Sequence, residues 1–190
     1  YRMPVPYGSQ RTPTAQWTAT ASGCTILGRE GPGPYLTHIT CGKIVDKGIT
    51  DPNNMGAAMA PAAYDTLAAF FRDTGTGPTD YDLIVTGDLG ELGHGIVRDF
   101  FSRSGVELGE NFQDCGLLLY DREDQDMHAG ASGCGCSASV LNGYLLTQMQ
   151  RGVWRKIVFA PTGALLSPTS SFQGESIPGI CHAVCISAEK

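Results

Sequence analysis

Short apolar runs alternate along the chain with longer segments of helical periodicity, and this alternation is the strongest constraint on the fold. The apolar runs are "YDLIVTGD", "CGLLLYD", "KIVFAPTG" and "ICHAVCIS". Helices are predicted from Asn53 or Asn54 to Gly75, from about Glu91 to Ser104, and from about Ser132 to Arg151. Strands separated by helices favour an α/β domain with a mixed, mostly parallel sheet and helices packed on its faces.

The beginning of the chain shows a different pattern. Residues 1–14 are rich in proline and are predicted to be a surface loop or a cut end, followed by one domain over 15–190. The β-rich runs "QWTATASGCTIL" and "YLTHITCGKIV" flank "GREGPGP", which predicts a hairpin. Pro61 interrupts the first helical pattern, so that helix is expected to begin close to Pro61.

Composition excludes several classes of function. The chain has 190 residues and a net charge of −6, and its densest basic group is Arg151, Arg155 and Lys156, so no nucleic-acid partner is expected. No apolar run approaches the ~20 residues of a membrane span, and the first residues lack the pattern of a signal peptide. Seven cysteines, an odd number, favour free thiols in a reducing, intracellular compartment.

The stretch "HAGASGCGCSAS" places His128 before Cys134 and Cys136 in a run of small residues. On a helix, residues two apart point in different directions, and the cysteines of "CHAVC" lie too far apart along a strand to share an ion. No metal and no cofactor are therefore expected. Cys134 near a helix start could be a nucleophile, but consecutive small side chains favour close packing.

A glycine-rich loop, "VTGDLGELGHG", follows the strand "YDLIV", at the end of a strand where α/β proteins bind ligands. Asp88 within this loop could approach a ligand or could cap the following helix. His94 is interpreted as a packing or surface histidine. The glycine spacing matches neither a phosphate-binding loop nor a dinucleotide fingerprint.

Several blocks of the sequence together resemble one known family. They are "TPTAQWT", "GITDPNNMGAAMAPAA", "DYDLIVTGDLG", "FQDCGLLLYD", "SGCGCSA" and "TGALLSPTSSFQGESIPGICHAV". These blocks, from about Thr12 to Val184, resemble the stage V sporulation protein AD family, which is part of the thiolase-like superfamily. The resemblance implies a thiolase-like half domain, corresponding to the second half of a duplicated fold. An N-terminal half of the same fold and a homodimeric partner are then expected.

The resemblance also implies what the site lacks. Thr86 stands where ketoacyl synthase III enzymes carry a catalytic histidine, and Met127 stands where thiolases carry one, with His128 one residue away. The nucleophilic cysteine of those enzymes lies in the other half. No catalytic residue is therefore assigned, and no enzymatic activity is expected.

The function implied by the resemblance is binding of dipicolinic acid and its uptake into the developing spore. A flat dianion needs hydrogen-bond donors. The candidates are Ser132, the amides of Gly133 and Cys134, and His128; Asp88 is included as a group that would orient another contact. The implied location is the periphery of the spore inner membrane, with other stage V sporulation membrane proteins as partners.

Two alternatives remain open from the sequence. An acyltransferase or condensing enzyme would use acyl-CoA or acyl carrier protein, with His128 and either Cys134 or a cysteine of the first half. A scaffold would dock membrane transport partners and bind no small ligand.

Without a first half, the apolar side of the central helix would be exposed over a larger area than monomers usually tolerate. We therefore expect residues 1–190, expressed alone, to dimerise or aggregate. Light scattering at high concentration measures this, and a well-behaved monomer would contradict the prediction.

Overall fold

The structure, a computed structural model, describes residues 12–190. The strands are β1 (Trp17–Thr18), β2 (Tyr35–Thr40), β3 (Leu83–Thr86), β4 (Phe112–Asp114), β5 (Ala131–Ser132), β6 (Lys156–Ala160), β7 (Thr162–Ala164), β8 (Gly179–Cys181) and β9 (Ala183–Ser187). The α-helices are α1 (Met55–Thr74), α2 (Gly90–Arg103), α3 (Cys115–Leu118), α4 (Cys136–Val140), α5 (Leu146–Gln150) and α6 (Pro168–Phe172). A 3-10 turn spans Pro78–Asp80, and a π-helical turn, Leu141–Leu145, joins α4 to α5.

The centre of the fold is a five-stranded sheet in the order β2-β9-β6-β3-β4. Strand β3 runs parallel to both β4 and β6, whereas β9 runs antiparallel to β6 and β2. Alternate residues of β3 belong to the hydrophobic cores on opposite faces of the sheet. Ile84 packs with α1 and α2, while Leu83 and Val85 pack with the helix through residues 136–150. The predicted class, a mixed and mostly parallel sheet with helices on its faces, is confirmed.

Helix α1 has the ends that the sequence predicts. The Asn54 side chain accepts a hydrogen bond from the Ala57 amide at the start, and Gly75 adopts a left-handed conformation at the end. The expectation that the helix begins near Pro61 is wrong, because Pro61 lies inside it. Pro61 has no N–H to donate to the Ala57 carbonyl, and the helix persists because ten of its residues are buried against the rest of the fold.

The helix predicted from Ser132 begins instead at Cys136. Ala131 and Ser132 form a short strand that pairs in parallel with Trp17 and Thr18. Because strand pairing uses the backbone groups of residues 131–132, the helix cannot include them, and Gly133 and Cys134 lie in the turn between strand and helix.

Two further predictions from the apolar runs are wrong. The first two β-rich runs form no hairpin, since β1 pairs with β5 and β2 pairs with β9. "CGLLLYD" is not a strand: the strand ends at Asp114, whose side chain accepts a hydrogen bond from the Gly116 amide and thereby starts helix α3. The segment "ALLSPTSSFQGESIPG", which the sequence predicts to be a loop, also differs from its prediction because it contains the short helix α6.

Helices α1 and α2 touch at a pair of glycines. A Cβ added to Gly93 would lie 2.8 Å from the Gly56 Cα and 2.9 Å from its carbonyl oxygen. A Cβ on Gly56 would meet the Leu89 carbonyl oxygen at 2.5 Å. These contacts are with backbone, which cannot rotate away, so any larger residue would push the two helices apart.

We expect Gly93→Ala to lower the free energy of unfolding by about 1 to 3 kcal/mol, because the added methyl group overlaps helix α1. Gly95→Ala is the matched control on the same helix: nothing lies within 4 Å of its added Cβ, and alanine favours the helix by up to about 1 kcal/mol. Urea unfolding of both variants measures the difference. Equal stabilities would contradict the proposed contact.

Candidate functional site

A buried carboxylate, Asp114, organises the strand ends where the sequence predicts a site. One oxygen, Oδ2, accepts from Thr86 Oγ1 at 2.7 Å and from the Leu89 amide at 2.9 Å. The other, Oδ1, accepts from the amides of Gly90 at 3.1 Å and Gly116 at 2.9 Å. Asp114 is fully buried, and these four donors replace the water that its charge gives up.

Sequence reasoning missed Asp114. Its role depends on donors from three separate segments, and only folding brings these segments together. The available signal was an aspartate two residues before a glycine, a pattern typical of a capping side chain that accepts from a nearby amide.

Asp88 joins the neighbouring loops. Its Oδ2 accepts from the Gly133 amide at 2.9 Å, and its Oδ1 accepts from Thr162 Oγ1 at 3.2 Å. Its carbonyl accepts from Gln16 Nε2 at 2.9 Å. Asp88 does not cap α2, whose cap position is Leu89. The carboxylate thus ties the β3 loop to the turns that contain Gly133 and Thr162.

The predicted ligand donors have different surroundings. The Gly133 amide already donates to Asp88. The Ser132 hydroxyl is buried and has no hydrogen-bond partner within residues 12–190. Cys134 is exposed, and His128 Nε2 lies 3.2 Å from Asp126 Oδ1. The structure therefore joins Asp88 to Gly133 and leaves the side chains of His128 and Cys134 accessible.

His128 borders a small cavity. The cavity has a volume of about 430 Å³ and is lined by Leu117, Tyr120, Asp121, Arg122, Glu123 and His128. His128 has a positive φ of 39°, which places its side chain on a tight turn rather than on a helix or strand. The Arg122 guanidinium forms an ion pair with Glu91 at 2.6 Å. An imidazole, a guanidinium, a phenol and the carboxylates of Asp121 and Glu123 thus surround one opening.

The small residues after His128 serve close packing. A Cβ on Gly135 would overlap the Ala21 carbonyl, and one on Gly23 would overlap the Ala138 carbonyl. The chain after β1 therefore lies directly against the start of the helix, and larger side chains at these glycines would displace it. The close-packing interpretation of this stretch is confirmed at these positions.

The cysteine thiols divide into two groups. Cys115, Cys136, Cys181 and Cys185 are buried, whereas Cys24, Cys41 and Cys134 are exposed. Burial raises the pKa of Cys181 to about 12, and burial, together with the Asp114 charge, raises the pKa of Cys115 well above its usual value. Thiols in such surroundings are poor nucleophiles. Within residues 12–190, no three His, Cys, Asp or Glu residues are grouped to hold a metal ion.

His94 is a packing residue, as the sequence predicts. Its ring stacks on Phe112 with centroids 4.5 Å apart, and Nε2 donates to the Phe112 carbonyl at 3.0 Å. Burial lowers the pKa of His94, which favours the neutral form of the imidazole.

We expect Asp114→Asn to lower the free energy of unfolding by at least about 2 kcal/mol. The amide replaces one acceptor oxygen with an NH₂ group that faces N–H donors, so buried donors lose their partners. Asp124→Asn, at an exposed turn, is the control and should change stability by less than about 0.5 kcal/mol. Urea unfolding measures both, and an unchanged Asp114→Asn protein would show that the buried carboxylate is dispensable.

Two solved structures show a limited similarity to this chain. 3-Oxoacyl-(acyl carrier protein) synthase III of Pseudomonas aeruginosa PAO1 is 12% identical, with a TM-score of 0.44 over 80% of this chain and 45% of that chain. Human mitochondrial 3-ketoacyl-CoA thiolase is 16% identical, with a TM-score of 0.40 over 80% of this chain and 30% of that chain.

Comparison at the level of sequence is more specific. The family described as stage V sporulation protein AD matches residues 1–187. Stage V sporulation protein AD of Bacillus subtilis (strain 168) is 45% identical over 184 residues, which cover 97% of this chain and 54% of that protein. The chain thus spans about half the length of this curated relative. It belongs to the stage V sporulation protein AD family.

Proposed function

We propose that the chain is part of a non-catalytic, thiolase-like sporulation protein that binds dipicolinic acid and serves its uptake into the developing spore. The observation that carries the proposal is the cavity beside His128. Its imidazole and the Arg122 guanidinium can donate to carboxylates, and Tyr120 offers an aromatic surface to a flat ring.

The predicted ligand residues take different roles in this proposal. His128 contacts the ligand, while Asp88 and Gly133 hold each other and thereby position the turn that precedes the helix. The Ser132 hydroxyl is buried and has no hydrogen-bond partner within residues 12–190, so it does not contact the ligand in this proposal. Cys134 is exposed.

The surroundings of Thr86 support the absence of catalysis. Thr86 is fully buried, and its hydroxyl donates to Asp114 at 2.7 Å. A hydroxyl fixed in this way cannot act as a base toward a substrate. Thr86 stands at the position where the resemblance places the catalytic histidine of a condensing enzyme.

The partners and location belong to the same proposal. An N-terminal half of the same fold would cover the apolar side of the helix through residues 136–150, and a second copy would form a homodimer. The protein would act inside the cell, at the periphery of the spore inner membrane, beside other stage V sporulation membrane proteins. Among the helices described over 12–190, none combines the length and apolarity needed to cross a bilayer.

We expect the full-length protein to bind dipicolinate saturably at neutral pH, measured by isothermal titration calorimetry. Arg122→Gln and His128→Gln should each weaken binding about ten-fold, because each removes a charge-assisted or ring N–H donor. Ser132→Ala is the control: its hydroxyl has no partner to lose, so stability and affinity should stay unchanged. Absence of saturable heat in the wild-type protein would refute the proposal.

The exposed thiol of Cys134 supports a second candidate, acyl transfer. This candidate requires rapid, selective alkylation of one thiol and a burst of CoA release from an acyl-CoA. Uniformly slow alkylation of all seven cysteines, with no burst, would exclude it and leave the binding proposal intact.

A further inference from the structure

A second, larger cavity lies between α1, the C-terminal half of α2 and the loop of residues 43–49. Its volume is about 700 Å³, within the range of small-molecule sites. The lining residues are Lys43, Val45, Lys47, Ile49, Ala57, Pro61, Tyr64, Asp65, Ile96, Phe100, Arg103 and Ser104. None of them borders the cavity beside His128, so the two are separate features. We call this second cavity the α1–α2 groove.

The floor of the α1–α2 groove is apolar and aromatic. The rings of Tyr64 and Phe100 meet edge to face, with centroids 5.5 Å apart. Ile96, one turn before Phe100 on α2, also lines the groove. Val45 and Ile49 close the groove from the loop side. Such a surface favours the apolar part of a ligand.

Three cations stand around this apolar floor. Lys43 pairs with Asp65 at 2.9 Å, and Arg103 Nε pairs with Asp99 at 2.9 Å. Lys47 makes no ion pair or hydrogen bond to any residue of the described range, 12–190. In a chain with a net charge of −6, a groove with a surplus of positive charge is complementary to an anionic group.

Hydrogen bonds hold the loop of the groove in place. Val45 exchanges two backbone hydrogen bonds with Gly179, of 2.9 and 2.8 Å, and the Ile177 amide donates to the Ile49 carbonyl at 2.7 Å. Between them, the Gly48 amide donates to Asp46 at 2.9 Å. The groove is therefore formed before any ligand enters, which lowers the entropic cost of binding.

From this combination we propose that the α1–α2 groove binds an amphiphilic anion, with a carboxylate or phosphate at Lys47 and Arg103 and an apolar chain over Tyr64 and Phe100. The volume and concave shape suit a small molecule rather than a flat protein surface. The proposal does not depend on dipicolinate binding, because that ligand has no apolar extension to fill the floor.

Dodecyl phosphate, below its micellar concentration, tests the proposal with the full-length protein by isothermal titration calorimetry. We expect saturable binding at one site per chain. Lys47→Gln should weaken it about five-fold, since one exposed charge contact is lost, and Ala57→Leu should weaken it more by filling the groove. Arg151→Gln, a change at an exposed cation outside the groove, is the matched control and should bind as the wild-type protein does.

Charge and shape controls use the same assay. Dodecanol and dodecyltrimethylammonium should bind at least five-fold more weakly than dodecyl phosphate, because neither brings a negative charge to the cations. Equal binding of all three, or no effect of either groove variant, would overturn the proposal. Binding of anionic vesicles or an acidic peptide, without binding of free dodecyl phosphate, would also overturn it. Dipicolinate binding should be unchanged in Lys47→Gln, which separates this outcome from that of the proposed function.

Discussion

The arrangement of the strand ends of β3 and β4 depends on the buried carboxylate of Asp114. Its two oxygens accept hydrogen bonds from the end of β3, the start of α2 and the start of α3. A charge in this position is stable only while all of these donors surround it. The ends of two parallel strands and the beginnings of two helices are thereby fixed relative to one another, and Asp88 extends the network to Gly133 and Thr162.

The polar groups at the end of β3 are partners of one another in this network. Thr86 donates to Asp114, and Asp88 accepts from Gly133 and Thr162. The groups left accessible lie outside the network: His128 and Arg122 at one cavity, and Lys47 at the α1–α2 groove. The α1–α2 groove belongs to the layer of α1 and α2, and the turn after His128 leads into the helix on the other face of the sheet.

Sequence patterns predicted the elements with strong local signals. Asn54 and Gly75 mark the ends of α1 because capping depends on neighbouring residues, and the glycine-rich run after His128 indicated close packing. The errors arose where a distant partner decided the outcome. Pairing of residues 131–132 with β1 delayed the helix to Cys136, and the Asp114 side chain turned the apolar run after it into a helix. Among the predicted site residues, Asp88 accepts a hydrogen bond from the Gly133 amide, and the sequence did not foresee this contact.

The sequence by itself determined the α/β class, the positions of the long helices and the family, since periodicity, caps and extended motifs are local properties of the chain. Only the tertiary structure decided which polar groups already have hydrogen-bond partners and which remain accessible. The Gly133 amide already donates to Asp88, and the Ser132 hydroxyl is buried. No local sequence pattern reveals either of these facts. The physical reason is that hydrogen-bond satisfaction and burial depend on segments far apart in the chain, which meet only when the layers pack.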